Sequence, residues 1–231
     1  MADLIVFAVF CIATLFVLPF SIIRIWRIFE PGIRVSNLSA IDQIVLQGIM
    51  NVVIVAFIAF LIRVVHGQSF TKTIHWFKNH QFSVGYLISL GAILAILGLI
   101  VSSLFPAGEP PPIEKLLSST AAMYVFALFG VAVAPLFEEI IIRGFLFTVL
   151  SDMRGPSTAV SVTAILFALL HLPQLWGSWA GIVLILVVGY VLSIVRHRSN
   201  SLIPSFIIHT SYNGMLFGVF ALSTLVQKGS H

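Results

Sequence analysis

The sequence predicts an all-α protein, a polytopic transmembrane helical bundle of seven or eight spans. Of its 231 residues, 59% are hydrophobic and 9% are charged, and the mean hydropathy is +1.11. A soluble domain carries about 25% charged residues, so most of this surface must face lipid. Because lipid offers the backbone no hydrogen-bond partners, each long apolar stretch must be helical. This composition excludes soluble enzymes, nucleic-acid-binding proteins and disulfide-linked secreted proteins.

Apolar stretches divide the chain into seven predicted spans, which are 4–23, 44–62, 82–105, 116–150, 157–172, 176–195 and 201–226. Proline lacks the backbone donor that a helix needs, so the run from Pro106 to Pro112 predicts a break. This break separates an N-terminal three-helix part, residues 1–105, from a C-terminal core, residues 116–226. The long stretch that contains Pro135 is either one kinked helix or two helices that meet there, and the second arrangement gives eight spans.

Basic residues leave the membrane orientation open. Two consecutive loops both carry positive charge, from Arg24, Arg27 and Arg34 in the first and from Arg63, Lys72 and Lys78 in the second. Cytoplasmic loops are enriched in Lys and Arg, but only one of two consecutive loops can be cytoplasmic. With seven spans, the predicted loop at 196–198 lies on the same side as the second of these loops.

Charged residues inside one predicted span are the strongest functional signal. Each unpaired charge there would cost about 2.5–3.5 kcal/mol on insertion scales, yet Glu138, Glu139 and Arg143 all lie in one apolar stretch. On a helix Glu139 and Arg143 share a face and can pair, whereas Glu138 points about 100° away from Glu139. A structural ion pair is one interpretation. The functional one is that Glu138 is a general base whose proton affinity is set by burial and a nearby cation.

Two further apolar stretches carry polar residues, His171 in one and His209 with Asn213 in the other. His209 and Asn213 are four residues apart and share a helix face. In one cavity with Glu138 they would suit peptide-bond hydrolysis: Glu138 takes a proton from water, an imidazole orients that water, and His209 with Asn213 donates to the oxyanion. The residue types also leave open a Zn²⁺ held by Glu138, His171 and His209.

Missing motifs narrow the chemistry further. The chain has no H-E-x-x-H run, no G-x-S-x-G and no glycine-rich phosphate loop followed by Lys and Ser or Thr. Aspartate occurs only at Asp3, Asp42 and Asp152, and none of these lies in a central apolar stretch. An intramembrane aspartate pair therefore has no candidates, and ATP-driven transport on this chain is excluded.

Three motifs resemble those of the intramembrane proteases of the CAAX prenyl protease and bacteriocin-processing group (CPBP), also called the Abi family. The family motifs are E-E-x-x-x-R, F-x-x-x-H and H-x-x-x-N or D, in that order. This sequence has them as Glu138-Glu139-Ile-Ile-Ile-Arg143, Phe167-Ala-Leu-Leu-His171 and His209-Thr-Ser-Tyr-Asn213. The resemblance covers roughly residues 116–220, and no motif position is substituted.

The resemblance implies a multi-pass protein of a prokaryotic cell membrane that acts as an endopeptidase within the bilayer. In that interpretation Glu138 activates water, His171 assists, and His209 with Asn213 forms the oxyanion site. Glu139 and Arg143 would hold the site together. The family is commonly labelled a metalloprotease group, so zinc is the one cofactor it suggests.

The expected partners are a membrane-embedded or lipidated peptide or protein substrate and the lipid bilayer, with no nucleic acid. One alternative function is a catalytically silent scaffold of the same fold that regulates a partner protein. A scaffold of that kind would be expected to lose a motif residue. Another alternative is a proton or ion pathway, which would place polar residues across the whole membrane thickness.

Overall fold

A computed structural model of the chain describes residues 2–34, 38–76, 82–106 and 120–229, and these residues form helices and connecting turns without strands. The helices are α1 (Ala2–Phe29), α2 (Ala40–Phe60, continued by a π-helical turn, Leu61–Val65), α3 (Phe70–Thr73), α4 (Val84–Leu104), α5 (continuous from Thr120 to Arg154), α6 (Pro156–Leu170), α7 (Trp179–Ser199) and α8 (Leu202–Gly229). The all-α prediction is confirmed. The predicted break at Pro106–Pro112 lies outside the described residues from position 107 onward.

Among the described residues, six helices are long and apolar enough to cross a membrane, namely α1, α2, α4, α5, α7 and α8. The chain is therefore an integral, multi-pass membrane protein, as predicted. Helix α6 coincides with the fifth predicted span, 157–172, but it has only 15 residues. At 1.5 Å per residue it is about 22 Å long, which is shorter than the hydrocarbon core of about 30 Å.

Helix α5 passes through Pro135 without a turn, so the two-helix arrangement that would give eight spans is not observed. A π-helical turn precedes the proline, in which the Ala134 N–H donates to the Phe129 carbonyl five residues earlier. The next bond in that register would join Pro135 to the Gly130 carbonyl, but proline has no N–H. The side-chain amide of Asn213 donates to the Gly130 carbonyl instead, at 2.8 Å. A side chain of α8 thus replaces the hydrogen bond that Pro135 removes.

One end of the bundle gathers several segments that are distant in sequence. The Leu202 N–H, at the start of α8, donates to the His75 carbonyl at 2.9 Å. Near it, Ile74 is 1% exposed and lies so close to Gly144 that an added Cβ there would be 3.1 Å away. The second basic loop, which follows α2, is therefore partly packed against α5.

The predicted loop at 196–198 is wrong, because these residues form the last turn of α7, which ends at Ser199. The chain turns at Asn200, whose φ of 50° is in the left-handed region that asparagine tolerates. Charge alone suggested a loop, but Arg196 is only 2% exposed because it finds hydrogen-bond partners on α5.

Close helix contacts position the core helices around α5. A Cβ at Gly91 on α4 would lie 2.5 Å from the Ile208 carbonyl on α8, and one at Gly189 on α7 would lie 3.0 Å from the Ala164 carbonyl on α6. Small residues of this kind let helix backbones approach each other within a membrane. The first contact packs α8 against α4, and the second packs α6 against α7.

Candidate active site

The charged motif residues form one connected chain of contacts. Arg143 Nη1 lies 2.9 Å from Glu139 Oε1, and both side chains are fully buried. The predicted pair is therefore confirmed. His209 approaches the same Glu139 oxygen through Nδ1 at 3.1 Å, while its Nε2 lies 3.7 Å from Glu138 Oε2. That second distance is too long for a hydrogen bond. The imidazole thus stands between the two adjacent glutamates.

The two glutamates differ sharply in exposure. The side chain of Glu138 is 30% exposed and that of Glu139 is 0% exposed. From the helical wheel we expect Glu139 to pair with Arg143 and Glu138 to point elsewhere. The structure has this arrangement. Only Glu138 presents a carboxylate that water or a substrate can reach.

The guanidinium of Arg143 is held by α7 and α6 as well as by Glu139. Its Nε donates to Ser193 Oγ at 3.4 Å and its Nη2 to the Gly189 carbonyl at 3.2 Å. The Ser193 hydroxyl also lies 2.9 Å from that of Thr163 on α6. A buried ion pair needs such added hydrogen bonds to offset its desolvation. Sequence reasoning missed Ser193 and Thr163 as parts of the site.

Phe167 connects the three motifs. Its ring is 1% exposed and lies 4.4 Å below the Arg143 guanidinium carbon, a cation–π contact. The rings of His171 and His209 lie 4.5 Å and 5.4 Å from the Phe167 ring, the second of them edge-on at 83°. The phenylalanine of the F-x-x-x-H motif is therefore the apolar wall against which the charged residues and both imidazoles pack.

Hydrogen bonds fix which nitrogen of each imidazole carries a proton. His171 Nδ1 lies 2.8 Å from the Phe167 carbonyl, and a carbonyl only accepts, so Nδ1 donates. The neutral His171 ring then offers Nε2 as an acceptor. His209 Nδ1 likewise donates to the carboxylate of Glu139, so its Nε2 is the atom that faces Glu138.

The structure brings the predicted residues together to different degrees. Glu138, Glu139, Arg143 and His209 form direct contacts, and His171 joins them through the Phe167 ring. Asn213 shares a face with His209 as predicted, but its amide nitrogen donates to the Gly130 carbonyl of α5. One amide N–H and the amide oxygen of Asn213 remain for other partners.

Two cavities, of about 240 and 140 Å³, lie at the end of the bundle that contains the C-terminal ends of α2 and α5. Neither is lined by Glu138, His171, His209 or Asn213. Among the described residues, no three His, Cys, Asp or Glu side chains form a group that could hold a metal ion. The zinc set considered from the sequence does not form such a group in this arrangement, and zinc binding stays a prediction.

Arg196 is a further residue that sequence reasoning missed. Its Nε donates to the Arg143 carbonyl at 3.0 Å and its Nη2 to Thr148 Oγ1 at 3.2 Å, so it ties α7 to the part of α5 that carries the motif. Gly189, Ser193 and Arg196 are spaced i, i+4, i+7 and hence share one helix face. That spacing is the signal in the sequence that could have placed Arg196 beside Arg143.

Residues 120–215 match the family model described as type II CAAX prenyl endopeptidase Rce1-like. The family resemblance is confirmed. This Rce1-like segment runs from the start of α5 into α8 and contains all six predicted site residues. No curated protein and no solved structure matches the chain. The match supports a membrane-embedded protease of the CAAX type.

Proposed function

We propose that the chain is an intramembrane endopeptidase that hydrolyses peptide bonds of a membrane-associated protein or peptide by glutamate-activated water. One observation carries this proposal: the adjacent glutamates have opposite environments. Glu139 is fully buried and bonded to Arg143 and His209, whereas Glu138 is partly exposed. A general base must reach the proton that it abstracts, so Glu138 is the base and Glu139 a positioning residue.

Hydrolysis follows from this assignment. Glu138 accepts a proton from water, and the water oxygen forms a bond to the carbonyl carbon of the peptide. The proton then passes from Glu138 to the amide nitrogen as the C–N bond breaks. The products are a new carboxyl group and a new amine, and the base is regenerated.

The two imidazoles have separate roles in the proposal. His171 presents Nε2 as an acceptor and so orients the attacking water. His209 holds its Nδ1 proton on Glu139, so donation to the developing oxyanion uses a second proton, on Nε2. The free N–H of Asn213, one turn further along α8, is the second oxyanion donor.

The substrate follows from the location of the site. Apart from His171, which follows the shorter α6, its residues lie in helices long and apolar enough to span the bilayer, so the substrate is a membrane-embedded or lipidated protein or peptide. The family description favours a CAAX-type prenylated tail or a related processing substrate.

The test is cleavage by the purified full chain in liposomes, using membrane-anchored peptides with and without a prenylated C-terminal tail. Mass spectrometry identifies products, and metal content is measured on the same preparation. We expect cleavage by the wild type and by Glu30→Gln, an exposed-carboxylate control, and none by Glu138→Gln. Cleavage that survives chelation supports metal-free glutamate catalysis, whereas stoichiometric zinc with chelator-sensitive cleavage would establish a metallopeptidase. Cleavage by Glu138→Gln at the wild-type rate would refute the assignment of the base.

A further inference from the structure

Arg196 is a buried cation with no carboxylate oxygen within 4 Å among the described residues. It is 2% exposed, yet the ion pairs found among the described residues do not include it. Arg143, the neighbouring buried arginine, has Glu139 at 2.9 Å. The Glu139 carboxylate interacts electrostatically with Arg196, but it is already bonded to Arg143 and His209. A buried charge without a directly bonded counterion is destabilising, so the position of Arg196 requires an explanation.

A cavity of about 140 Å³ opens beside this guanidinium. Its walls include the hydroxyls of Thr148 and Ser151, the amide of Asn200 and the imidazole of His75. Arg196 has two observed hydrogen bonds, from Nε and from Nη2, although a guanidinium carries five N–H donors. The cavity is therefore polar, large enough for several water molecules, and bordered by a cation with donors to spare.

We propose that this cavity binds an anion of the carboxylate or phosphate class, with Arg196 as its principal cationic contact. The planar N–H fork of arginine matches the paired oxygens of both groups. Ser151 and Asn200 line the cavity and supply further hydrogen bonds, whereas the Thr148 hydroxyl already donates to the Gly144 carbonyl at 2.7 Å. The anion would provide for Arg196 the compensation that Glu139 provides for Arg143.

Three other titratable groups line the cavity, namely His75, Asp152 and His197. Burial, with the Arg196 charge adding to it, lowers the pKa of His75, so this ring contributes hydrogen bonds rather than charge at pH 7. Asp152 and His197 are exposed, so water screens their charges. The Asp152 carboxylate opposes the anion but is screened far more than the buried guanidinium.

The cavity is close to the candidate active site. Arg196 bonds to the carbonyl of Arg143, which follows Glu138 by five residues in α5. Two sources of the anion fit this position: the terminal carboxylate of a peptide, which rests on the proposed function, and a lipid headgroup phosphate, which does not.

Anion binding is measured separately from proteolysis. The full chain in uncharged detergent is heated in inorganic phosphate and in sodium chloride of equal ionic strength. We expect phosphate at about ten times its Kd to raise the apparent Tm by about 2–5 °C. Arg196→Gln should abolish the difference, and Arg198→Gln, which removes an exposed arginine two residues away, should retain it. Equal shifts in both variants, or none in the wild type, would overturn the proposal.

A second pair of variants keeps the test decisive if Arg196→Gln does not fold. Ser151→Asp places a carboxylate in the cavity beside the intact Arg196 and should remove the phosphate effect. Ser151→Asn has the same shape without the charge and should retain it. Phosphate stabilisation that persists in Ser151→Asp would contradict the proposed site.

Two comparisons distinguish the sources. In the first, the Tm is measured with a short peptide that has a free C-terminal carboxylate and with the same peptide as its C-terminal amide. In the second, the Tm is measured in vesicles that contain phosphatidic acid and in vesicles of pure phosphatidylcholine. A Tm rise with the carboxylate peptide but not with its amide, absent in Ser151→Asp, identifies a peptide terminus as the anion. A Tm rise with phosphatidic acid that is absent in the same variant identifies a lipid headgroup. An inactive chain that still shows the Arg196-dependent phosphate shift would refute the protease proposal alone. An active chain without the shift would refute the anion site alone.

Discussion

The N-terminal helices and the core helices bury different kinds of side chain. Of an 18-residue apolar stretch in α1, 11% of the residues are buried, whereas 39% are buried in the corresponding stretch of α7. Helix α1 therefore mainly presents apolar side chains outward. The described residues before the core contain two buried polar side chains, Thr14 and Asn51. The core contains many more, which are Glu139, Arg143, Thr163, Ser193, Arg196, Ser199, Ser201, Ser205 and His209.

This difference indicates that α1 mainly supports the fold, whereas the core helices contain the polar residues of the candidate site. A lipid-facing helix needs only apolar side chains and its own backbone hydrogen bonds. A buried polar network is stable only when its members satisfy one another, so removing one member affects the others. Substitutions of the buried polar residues in the core should therefore change activity or stability strongly, and polar substitutions at exposed positions near the start of α1 should change them little.

The largest effect is expected for Glu138→Gln, compared with Glu139→Gln at the next position. Loss of the base should lower the cleavage rate by about 10²–10⁴-fold in Glu138→Gln with an unchanged apparent Tm. Glu139→Gln should lower both rate and Tm, because it leaves Arg143 buried without an anion. Initial rates and thermal unfolding on the same preparations separate the two. Equal Tm losses in both variants would remove the distinction between base and positioning residue.

Arg143→Ala should destabilise the core by about 3–5 kcal/mol, because it leaves the Glu139 carboxylate buried without its cation. Reversible unfolding in mixed micelles gives the free energy, with Arg198→Ala as the exposed control. The double variant Glu139→Gln with Arg143→Met should recover part of the loss, since no charge is then unpaired. Exposed ion pairs contribute about 0–1 kcal/mol to the free energy of unfolding. A loss in that range for Arg143→Ala would mean that the pair does not stabilise the core.

Asn213→Ala should cost about 1–3 kcal/mol, because the Gly130 carbonyl loses its only observed side-chain donor. Combining it with Pro135→Ala restores a backbone N–H near that carbonyl and should recover stability. Cleavage should stay low in the double variant, since the oxyanion donor is still absent. Recovery of cleavage together with stability would assign Asn213 to helix support alone.

The smallest effect is expected in the N-terminal part, for Asp3→Asn. The Asp3 carboxylate lies 3.2 Å from His66 Nε2, and the two side chains are 43% and 42% exposed. Such a pair contributes about 0–1 kcal/mol, so the apparent Tm and the cleavage rate should stay near wild-type values. A loss as large as that of Arg143→Ala would show that the N-terminal helices contribute directly to the site.

Helical periodicity explains what the sequence could predict. The pairing of Glu139 with Arg143 and the shared face of His209 and Asn213 follow from four-residue spacing within one helix. The resemblance of the motifs placed these residues in one segment of the chain, and the family model matches residues 120–215, which contain them. These predictions depended on local spacing or on whole motifs, not on contacts between helices.

Contacts between helices could not be predicted in the same way. Arg196 was assigned to a loop because it lies among His197 and Arg198, and only its bond to the Arg143 carbonyl explains its burial. Ser193 is inconspicuous in an apolar span until its hydroxyl is seen beside Arg143. The role of Asn213 on Gly130 depends on a π-helical turn before Pro135. A local pattern contains none of these tertiary relations.

The most direct test of the account is a single turnover of peptide cleavage in ¹⁸O-labelled water, followed by mass spectrometry of the products and of the peptide that contains Glu138. If Glu138 activates water, one ¹⁸O atom enters the new carboxyl group of the product and none enters the Glu138 side chain. Label in the Glu138 carboxyl group would mean that this residue attacks the substrate covalently, which would contradict its assignment as a general base.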